Sequence, residues 1–254
     1  MAISYDSPAI LKDFAERHKI EYLLLSDPDS KIITRFGVLN TEAAGMTKGM
    51  ALPGYFFVDT SGSIREKYFE VSYTDRFTGN NVLTRIFPEL AEGVSHAVEA
   101  PHISLELRQS DSTVFPGNRI SLTARIDLPP GVHVYAPGVT GYKPIQLEIS
   151  PSPEIQLIPP TYPAAKILYL EAIKEKVPVF SGKFQIASDL KIAATPDVMK
   201  SLGEKGRTIS VTGQLSYQAC DMTKCFVPTS VPVNWQLEIL PLDRQRSPEA
   251  IRHR

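Results

Sequence analysis

The spacing of apolar residues changes near residue 100, and this change constrains the fold more than any other feature of the chain. Sixteen of the 21 prolines lie between Pro101 and Pro241, where apolar residues alternate with polar ones instead of following a helical period. The clearest alternating runs are Ile120/Leu122/Ala124/Ile126, Ile209/Val211/Gly213/Leu215/Tyr217 and Trp235/Leu237/Ile239. Short alternating strands separated by proline and glycine turns are typical of an antiparallel β-sandwich. We therefore predict an all-β domain over residues 101–243, followed by a flexible tail at residues 244–254.

Residues 1–95 have a different pattern, in which short strands alternate with helices. Ser7 and Pro8 begin one helix, Asp27 begins a second, and residues 82–87 have the apolar spacing of a third. Two apolar segments flank a turn at Asp59, as they do in a β-hairpin. This order predicts an α/β domain that is joined to the all-β domain by a linker at residues 91–100.

The composition excludes several classes of function. The formal net charge is −1 over 254 residues, so nothing in the sequence indicates a nucleic-acid partner. No segment reaches the roughly 18 apolar residues that a membrane-spanning helix needs. The N-terminus lacks the basic and apolar regions of a secretory signal, so a cytoplasmic protein is expected if Met1 is the true start.

Cys220 and Cys225 are the only cysteines, so any thiol chemistry is confined to one loop. The predicted strands on either side place them on opposite arms, where Cα atoms lie about 4.5–5.5 Å apart, within disulfide range. Closing so short a loop stabilises a fold by only roughly 2 kcal/mol. The pair is therefore either a redox-active dithiol or a small structural disulfide, and the residues alone leave both readings open.

The charges beside the two cysteines differ. Lys224 precedes Cys225 and favours its thiolate, whereas Asp221 follows Cys220 and disfavours the thiolate there. We therefore expect Cys225 to be the better nucleophile. No metal site is predicted, because structural zinc takes about four ligands and the five histidines form no ligand spacing. No cofactor is predicted either, and His133 is expected to face solvent or to be hydrogen-bonded.

The second half resembles the N-terminal domain of the DsbD family. The resemblance lies in residues 130–138 (PGVHVYAPG), 141–147 (GYKPIQL), 178–182 (PVFSG) and 217–228 (YQACDMTKCFVP), within roughly residues 101–242. It implies a periplasmic, immunoglobulin-like sandwich that shuttles electrons through one cysteine pair. It also implies that Cys225 forms mixed disulfides with thioredoxin-like or membrane redox proteins, which Cys220 then resolves.

The same resemblance implies a mobile cap segment that shields the cysteine pair. In the family the pair alternates between a dithiol and a disulfide beneath this cap. We place the cap within residues 168–173, where Tyr169 is the expected shield and Leu168 lies beside it.

The first half resembles the later part of a peroxiredoxin of the AhpC/TSA type, which has a thioredoxin fold. The matching stretches are residues 2–6 (AISYD), 24–29 (LLSDPD) and 52–59 (LPGYFFVD). The resemblance implies that Pro53 occupies the cis-proline position of such folds. In a complete thioredoxin fold, a strand, an active-site loop with cysteine and a helix precede the matching part.

The first domain is therefore interpreted as an incomplete thioredoxin-like (redoxin) domain that lacks the active-site segment. No peroxidase activity is expected from this chain. Our hypothesis is that the N-terminus is truncated, and that the missing segment also contains an export signal. The protein would then be periplasmic or extracytoplasmic.

The leading functional prediction is thiol:disulfide exchange by an oxidoreductase that acts through Cys220 and Cys225. Two alternatives remain open. One is a non-catalytic β-sandwich binding protein in which the disulfide only holds a recognition loop. The other is a fragment of a peroxiredoxin-type antioxidant enzyme.

Overall fold

The chain divides into two compact units. A computed structural model describes residues 1–88, 93–170 and 174–252. The first unit contains Met1–Arg76 and the C-terminal residues from Leu242 onward, and the second contains Phe77–Pro241. Among the described residues, no helix combines the length and the apolar content needed to cross a bilayer. The fold as a whole is mostly β.

The first unit consists of short helices and two separate pairs of strands. The elements are β1 (Ala2–Ser4), α1 (Pro8–His18), β2 (Leu24–Ser26), α2 (Lys31–Arg35), β3 (Gly54–Val58) and β4 (Ile64–Phe69), with 3-10 turns at Gly45–Thr47 and Glu249–Ile251. Strand β1 pairs with β2 in parallel, and β3 pairs with β4 as an antiparallel hairpin. The alternation of strands and helices predicted for this half is confirmed in these elements.

Two aspartates fix turns of the first unit. Asp27 is buried, and its carboxylate accepts hydrogen bonds from the three consecutive N–H groups of residues 31–33 at the start of α2. Asp59 accepts from the N–H groups of Ser61 and Ser63 in the β3–β4 turn. The Ser61 hydroxyl and then the Ser63 N–H lower the pKa of Asp59 to about 2. Both turns are thus specified by local side-chain hydrogen bonds.

Pro53 does not have the predicted cis geometry, because the Leu52–Pro53 peptide bond is trans. The proline leads into β3, and its carbonyl accepts a hydrogen bond of 3.0 Å from the N–H of Glu70. A proline at the beginning of a strand removes no N–H group from the sheet. The trans proline therefore fits this position without an unpaired backbone group.

The second unit is built mainly from strands. They are β5 (Arg76–Phe77, where the units divide), β6 (Val94–Val98), β7 (Ser104–Gln109), β8 (Thr113–Val114), β9 (Asn118–Asp127), β10 (His133–Tyr135), β11 (Gln146–Ile149), β12 (Ile155–Leu157), β13 (Lys166–Leu170), β14 (Glu175–Ser181), β15 (Lys183–Ile192), β16 (Arg207–Tyr217), β17 (Ala219–Cys220) and β18 (Thr229–Ile239). Two helices accompany them, α3 (Gly79–Ile86) and α4 (Pro196–Leu202). The sheets have the orders β12-β15-β9-β7-β6, β11-β16-β18-β8 and β13-β14-β10-β17.

The first two of these sheets share one apolar core. Alternate side chains of β9, β15, β16 and β18 are buried in it, and the period-two pattern predicts this for β9, β16 and β18. Trp235 is fully buried and donates its indole N–H to the carbonyl of Arg108 at 3.0 Å. The prediction that the second half is all-β in its core is therefore confirmed.

Helix α3 lies in the second unit, although its sequence pattern suggests a place in the first half. Thr78 caps the helix by accepting a hydrogen bond from the N–H of Asn81. The buried Asn81 amide donates to the Ser121 hydroxyl of β9 at 2.8 Å, and Ser121 donates to Asp189 of β15 at 2.7 Å. These side-chain contacts, which periodicity does not reveal, fix α3 on the sheet.

The segment expected to be a linker, residues 91–100, contains strand β6. This strand pairs with β7 in an antiparallel register, from Val94 opposite Gln109 to Val98 opposite Leu105. Its side chains are mostly exposed, so the strand lacks the apolar alternation that would reveal it in the sequence. Residues 91 and 92 of the expected linker lie outside the described residues.

Candidate functional site

The two cysteines form a disulfide at the edge of the third sheet. Cys220 ends the short strand β17, and the chain turns back so that Cys225 lies opposite it in an antiparallel bridge. Their sulfurs are bonded, and the two Cα atoms are 4.0 Å apart. The prediction that the cysteines occupy opposite arms of a tight loop is confirmed.

Asp221 holds the turn between the cysteines. Its Oδ1 atom accepts hydrogen bonds from the Thr223 N–H, the Thr223 hydroxyl and the Lys224 N–H, at 2.7, 2.7 and 2.9 Å. The hydrogen bonds from Thr223, and then the one from Lys224, lower the pKa of Asp221 to about 2. The carboxylate is therefore charged at neutral pH and orders the loop.

The two sulfur-bearing residues differ in exposure. Cys220 is only 1% exposed, whereas Cys225 lies at the surface. The difference follows from the sheet, because Cys220 is paired with His133 of β10 while Cys225 belongs to the segment that leaves the sheet. Thiol–disulfide exchange depends on access of the attacking thiolate to one sulfur. Of the two cysteines, Cys225 provides that access.

Tyr135 of β10 lies next to the disulfide. Its hydroxyl oxygen is 3.8 Å from the sulfurs of both Cys220 and Cys225, and its side chain is 1% exposed. A disulfide has no proton to donate, so the phenol is the donor in these long contacts. Burial, and then the charge of Glu175, raises the pKa of Tyr135. The hydroxyl therefore keeps its proton at neutral pH.

Tyr142 stacks on Tyr135, with the ring centroids 4.4 Å apart. The Tyr142 hydroxyl donates a hydrogen bond of 2.8 Å to the carboxylate of Glu175. This hydrogen bond, followed by burial, raises the pKa of Tyr142 to about 12. Sequence reasoning missed both tyrosines as site residues, although they lie within the conspicuous stretches 130–138 and 141–147.

The two predicted cap residues lie on different faces of strand β13. Leu168 packs against the apolar cluster that contains Cys220 and Tyr135. Tyr169 alternates to the other face and is 46% exposed. Leu168, rather than Tyr169, thus packs on the cluster that contains Cys220. Residues 171–173 of the predicted cap lie outside the described residues.

His133 was expected to face solvent or to be hydrogen-bonded, and the first of these alternatives is wrong. Its side chain is 4% exposed, and its Nε2 atom is buried without a hydrogen-bond partner among the described residues. The ring meets Tyr135 edge-on at a centroid distance of 5.7 Å. Burial lowers the pKa of His133, and the charge of Asp221 opposes this effect. The histidine lies on the same face of the sheet as Tyr135 and Cys220, which are also buried.

The exposed side of the loop carries aromatic and cationic groups. Phe226 follows Cys225, and its ring stacks on His102 with centroids 3.8 Å apart. The Lys224 ammonium lies 5.3 Å from the centre of the same Phe226 ring. A positive charge is thus held on the residues that flank Cys225. Within the described part of the chain, no cluster of three or more His, Cys, Asp or Glu side chains could hold a metal ion.

Comparisons with solved structures give distant similarities. The N-terminal periplasmic domain of ScsB from Proteus mirabilis is 11% identical, with a TM-score of 0.40, over 56% of this chain and 51% of that one. The DsbD N-terminal domain of Neisseria meningitidis in the reduced form is 15% identical, with a TM-score of 0.32, over 61% and 97%. The present chain thus spans about half the length of the ScsB structure. No curated protein sequence matches it.

Family comparisons cover both halves of the chain. Residues 1–67 match the AhpC/TSA family. Residues 105–234 match the family described as thiol:disulfide interchange protein DsbD, N-terminal. The second match spans more than half of the 254 residues and includes both cysteines, His133 and Tyr135. The chain therefore belongs to the DsbD N-terminal family.

Proposed function

We propose that this protein carries out thiol:disulfide exchange through Cys220 and Cys225, and that redox partners attack Cys225. One observation carries the proposal: Cys225 is exposed, whereas Cys220 is almost completely buried. An incoming thiolate can reach only an accessible sulfur, so the difference in exposure supports different roles for the two cysteines. The membership in a thiol:disulfide interchange family supports the type of reaction.

The proposed exchange has two steps. A partner thiolate attacks the Cys225 sulfur, the S–S bond breaks, and its electron pair passes to the Cys220 sulfur. A second thiolate of the partner then attacks the partner sulfur of the mixed disulfide and releases Cys225. The partner leaves as a disulfide, and the protein takes up two protons to become a dithiol. In the reverse direction, Cys220 is the thiol that resolves the mixed disulfide.

Neighbouring side chains are placed to assist these steps. The Tyr135 hydroxyl lies 3.8 Å from both sulfurs and can donate to whichever sulfur carries negative charge. Hydrogen bonds to a charged acceptor are roughly twice as strong as neutral ones. Asp221 keeps the turn closed, which holds the two sulfurs within bonding distance after reduction. Lys224 adds a positive charge close to the attacked sulfur.

The proposal also includes the redox partners, the cellular location and the roles of the two domains. The partners are thioredoxin-like or membrane redox proteins that form mixed disulfides with Cys225. The location is periplasmic or extracytoplasmic, because disulfides persist in oxidising compartments. Residues 101–243 are proposed to form an immunoglobulin-like sandwich. Residues 1–95 are proposed to be an incomplete thioredoxin-like docking or architectural module without peroxidase activity.

One observation favours a second function, that of a non-catalytic binding protein. An open groove of about 1050 Å³ lies beside β11, and both apolar residues such as Leu147 and Tyr162 and polar residues such as Gln146 and Glu148 line it. Ligand sites in proteins are concave surfaces that combine apolar lining with a few polar groups. The reduction potential distinguishes the two functions. A value below about −300 mV indicates a structural disulfide, whereas a value near roughly −200 mV indicates an electron shuttle.

A trapping experiment tests the proposed function directly. In reduced Cys220→Ser, the exposed Cys225 thiol should attack a thioredoxin whose second active-site cysteine is replaced by serine and whose remaining cysteine carries thionitrobenzoate as a mixed disulfide. Thionitrobenzoate leaves, and the resulting protein–protein disulfide has no second thiol to resolve it. The adduct is detected by non-reducing electrophoresis and mass spectrometry. The matched variant Cys225→Ser should give little adduct, because its remaining thiol is buried. Absence of an adduct with Cys220→Ser, or equal adducts with both variants, would refute the assigned roles.

A further inference from the structure

His133 and Cys220 face each other across two paired strands. The register of β10 and β17 places His133 opposite Cys220 and Val134 opposite Ala219. Directly opposed residues of an antiparallel pair point to the same face, with Cβ atoms about 4.5–5.5 Å apart. The imidazole therefore neighbours the buried sulfur of the disulfide rather than the exposed one.

The Nε2 atom of His133 is unusual in the disulfide form. It is buried and lacks a hydrogen-bond partner among the described residues, whereas nearly all buried polar atoms in proteins are paired. The neighbouring disulfide sulfur cannot supply the missing proton donor. In a disulfide the sulfur of Cys220 is neutral and carries no proton, so it can neither donate to Nε2 nor attract a proton onto it.

Reduction changes both properties of the Cys220 sulfur. A thiol can donate its proton to the neutral Nε2 atom, and a thiolate can accept a hydrogen bond from the protonated ring. In both arrangements one proton lies between Nε2 of His133 and the sulfur of Cys220. Each arrangement therefore gives Nε2 the hydrogen-bond partner that it lacks while the disulfide is closed.

We propose that His133 is a positioning residue for Cys220, which shares one proton with its sulfur in the reduced protein and so holds the charge released when the disulfide opens. This inference rests on the proposed function, since it requires the pair to open. Thiolate attack on Cys225 sends the S–S electron pair to Cys220. The attacking partner thiol first loses a proton to solvent, and the His133–Cys220 pair takes up one proton from solvent when the disulfide opens. Reoxidation of the cysteine pair releases this proton to solvent again.

The groups around His133 determine the direction of the effect. Burial lowers the pKa of His133 in the disulfide form, and the charge of Asp221, beyond β17, raises it. On its own strand Tyr135 is protonated, and on the other paired strand the opposed residue, Ser181, is neutral. Of the two arrangements, the one that holds the released charge has the proton on Nε2 and a thiolate at Cys220, which adds a second negative charge next to the ring. In that arrangement reduction raises the pKa of His133, whereas a thiol that donates to the neutral ring would lower it.

The first test is an NMR titration of the imidazole of His133 in the oxidised protein and in protein reduced with dithiothreitol. The titration midpoint should lie about 1 pH unit or more higher in the reduced form. The control is the same comparison in the double variant Cys220→Ala/Cys225→Ala, in which dithiothreitol should leave the midpoint of His133 unchanged. The same midpoint for His133 in both states would overturn the proposal.

The second test uses His133→Phe, which keeps an aromatic ring and removes its nitrogens. In a Cys225→Ser background Cys220 is the only thiol, so the ultraviolet absorbance of its thiolate reports its pKa. The thiolate fraction at pH 7 should fall about tenfold or more, which is the change expected from losing a stabilising charge partner. The matched variant His102→Phe should leave it unchanged. An unaltered thiolate fraction in His133→Phe contradicts the proposal.

The experiments separate this inference from the proposed function. A redox-dependent midpoint of His133 without any thioredoxin adduct of Cys220→Ser refutes the exchange function and supports the histidine contact. An adduct without a change in the midpoint supports exchange and refutes the contact. The titration uses the unmodified protein, so the inference is decided even if His133→Phe does not fold.

Discussion

The two units of the molecule differ most in what they bury. Among the described residues of the first unit, the buried apolar side chains are Leu11, Ile33 and Val38, and large apolar groups such as Tyr22 and Leu23 are exposed. The second unit buries alternate side chains along four strands of ten or eleven residues each. Long strands with one consistently buried face thus produce a continuous core, and short segments do not.

Both cysteines belong to the second unit, where the third sheet pairs Cys220 with His133. Burial of apolar surface is the dominant favourable term in folding. We therefore expect the first unit to unfold under milder conditions than the second, and the following changes test this expectation.

The largest effect is expected from Trp235→Ala in the second unit. The substitution removes a fully buried ring and the hydrogen bond from its indole to the carbonyl of Arg108. Removal of a buried tryptophan costs roughly 3–5 kcal/mol of unfolding free energy. Denaturant unfolding followed by far-ultraviolet circular dichroism measures the loss in the second unit. A loss below about 1 kcal/mol would contradict the importance assigned to this core.

A similar or slightly smaller effect is expected from Ile33→Ala in the first unit. Ile33 is 0% exposed, and the loss of a buried isoleucine side chain costs about 2–5 kcal/mol. Calorimetry should show that the transition of the first unit moves to lower temperature and that of the second unit does not. The matched control is Ile32→Ala, because the neighbouring Ile32 is 45% exposed. Equal shifts for both variants would refute the packing described for this unit.

Reduction of the disulfide is expected to have a smaller effect. The Cys220–Cys225 bond closes a short loop, so its removal should lower the unfolding free energy of the second unit by only about 2 kcal/mol. Denaturant unfolding with and without dithiothreitol measures the change, and the double variant Cys220→Ala/Cys225→Ala controls for effects of the reductant. Unfolding of the whole second unit on reduction would favour the structural alternative.

The smallest expected effect concerns two turns, each of which is held by hydrogen bonds to an aspartate carboxylate. Hydrogen bonds from neighbouring residues lower the pKa of Asp59 in the first unit and of Asp221 in the second to about 2. These folded-state values are below the ordinary aspartate pKa of roughly 3.9. Each carboxylate therefore stabilises its turn above about pH 4, and this contribution is lost as the pH falls toward 2.

The disulfide should make these two turns respond differently to acid. As the pH falls from about 4 to 2, NMR should show loss of order at Ser61 and Ser63, while the disulfide still holds Thr223 and Lys224 in place. In reduced protein both turns should loosen together. Equal loosening in oxidised protein would show that the disulfide contributes nothing to the order of its own loop.

The sequence predicts best those parts of the fold that one local pattern specifies. Strict alternation of apolar residues identified β9, β16 and β18, because each has one face in the core. The short hairpin at Asp59 and the tight loop from Cys220 to Cys225 were also predictable from turn residues and spacing. In each case neighbours in sequence are also neighbours in space.

Features that depend on distant pairing could not be predicted in this way. The third sheet joins the short strands β10 and β17 with β13 and β14, and no periodicity reveals such pairing. The place of His133 in the sheet depends on that pairing. A histidine between two valines would give the same sequence pattern in an exposed edge strand, so the sequence alone does not predict its burial. The attachment of α3 depends likewise on Asn81 and Ser121, which lie far apart in the chain.

The register between β10 and β17 also limits where residues can be inserted or deleted in this chain. Successive residues of a strand point to opposite faces, so the loss of Gln218 would shift β17 and turn Cys220 away from Tyr135 and His133. Residues 221–224 lie outside that pairing, so an insertion there would alter the turn held by Asp221 without shifting the register of Cys220. The pairing of β10 with β17 therefore constrains directly the spacing that leads to the first cysteine, and the turn and the disulfide constrain the spacing between the two cysteines.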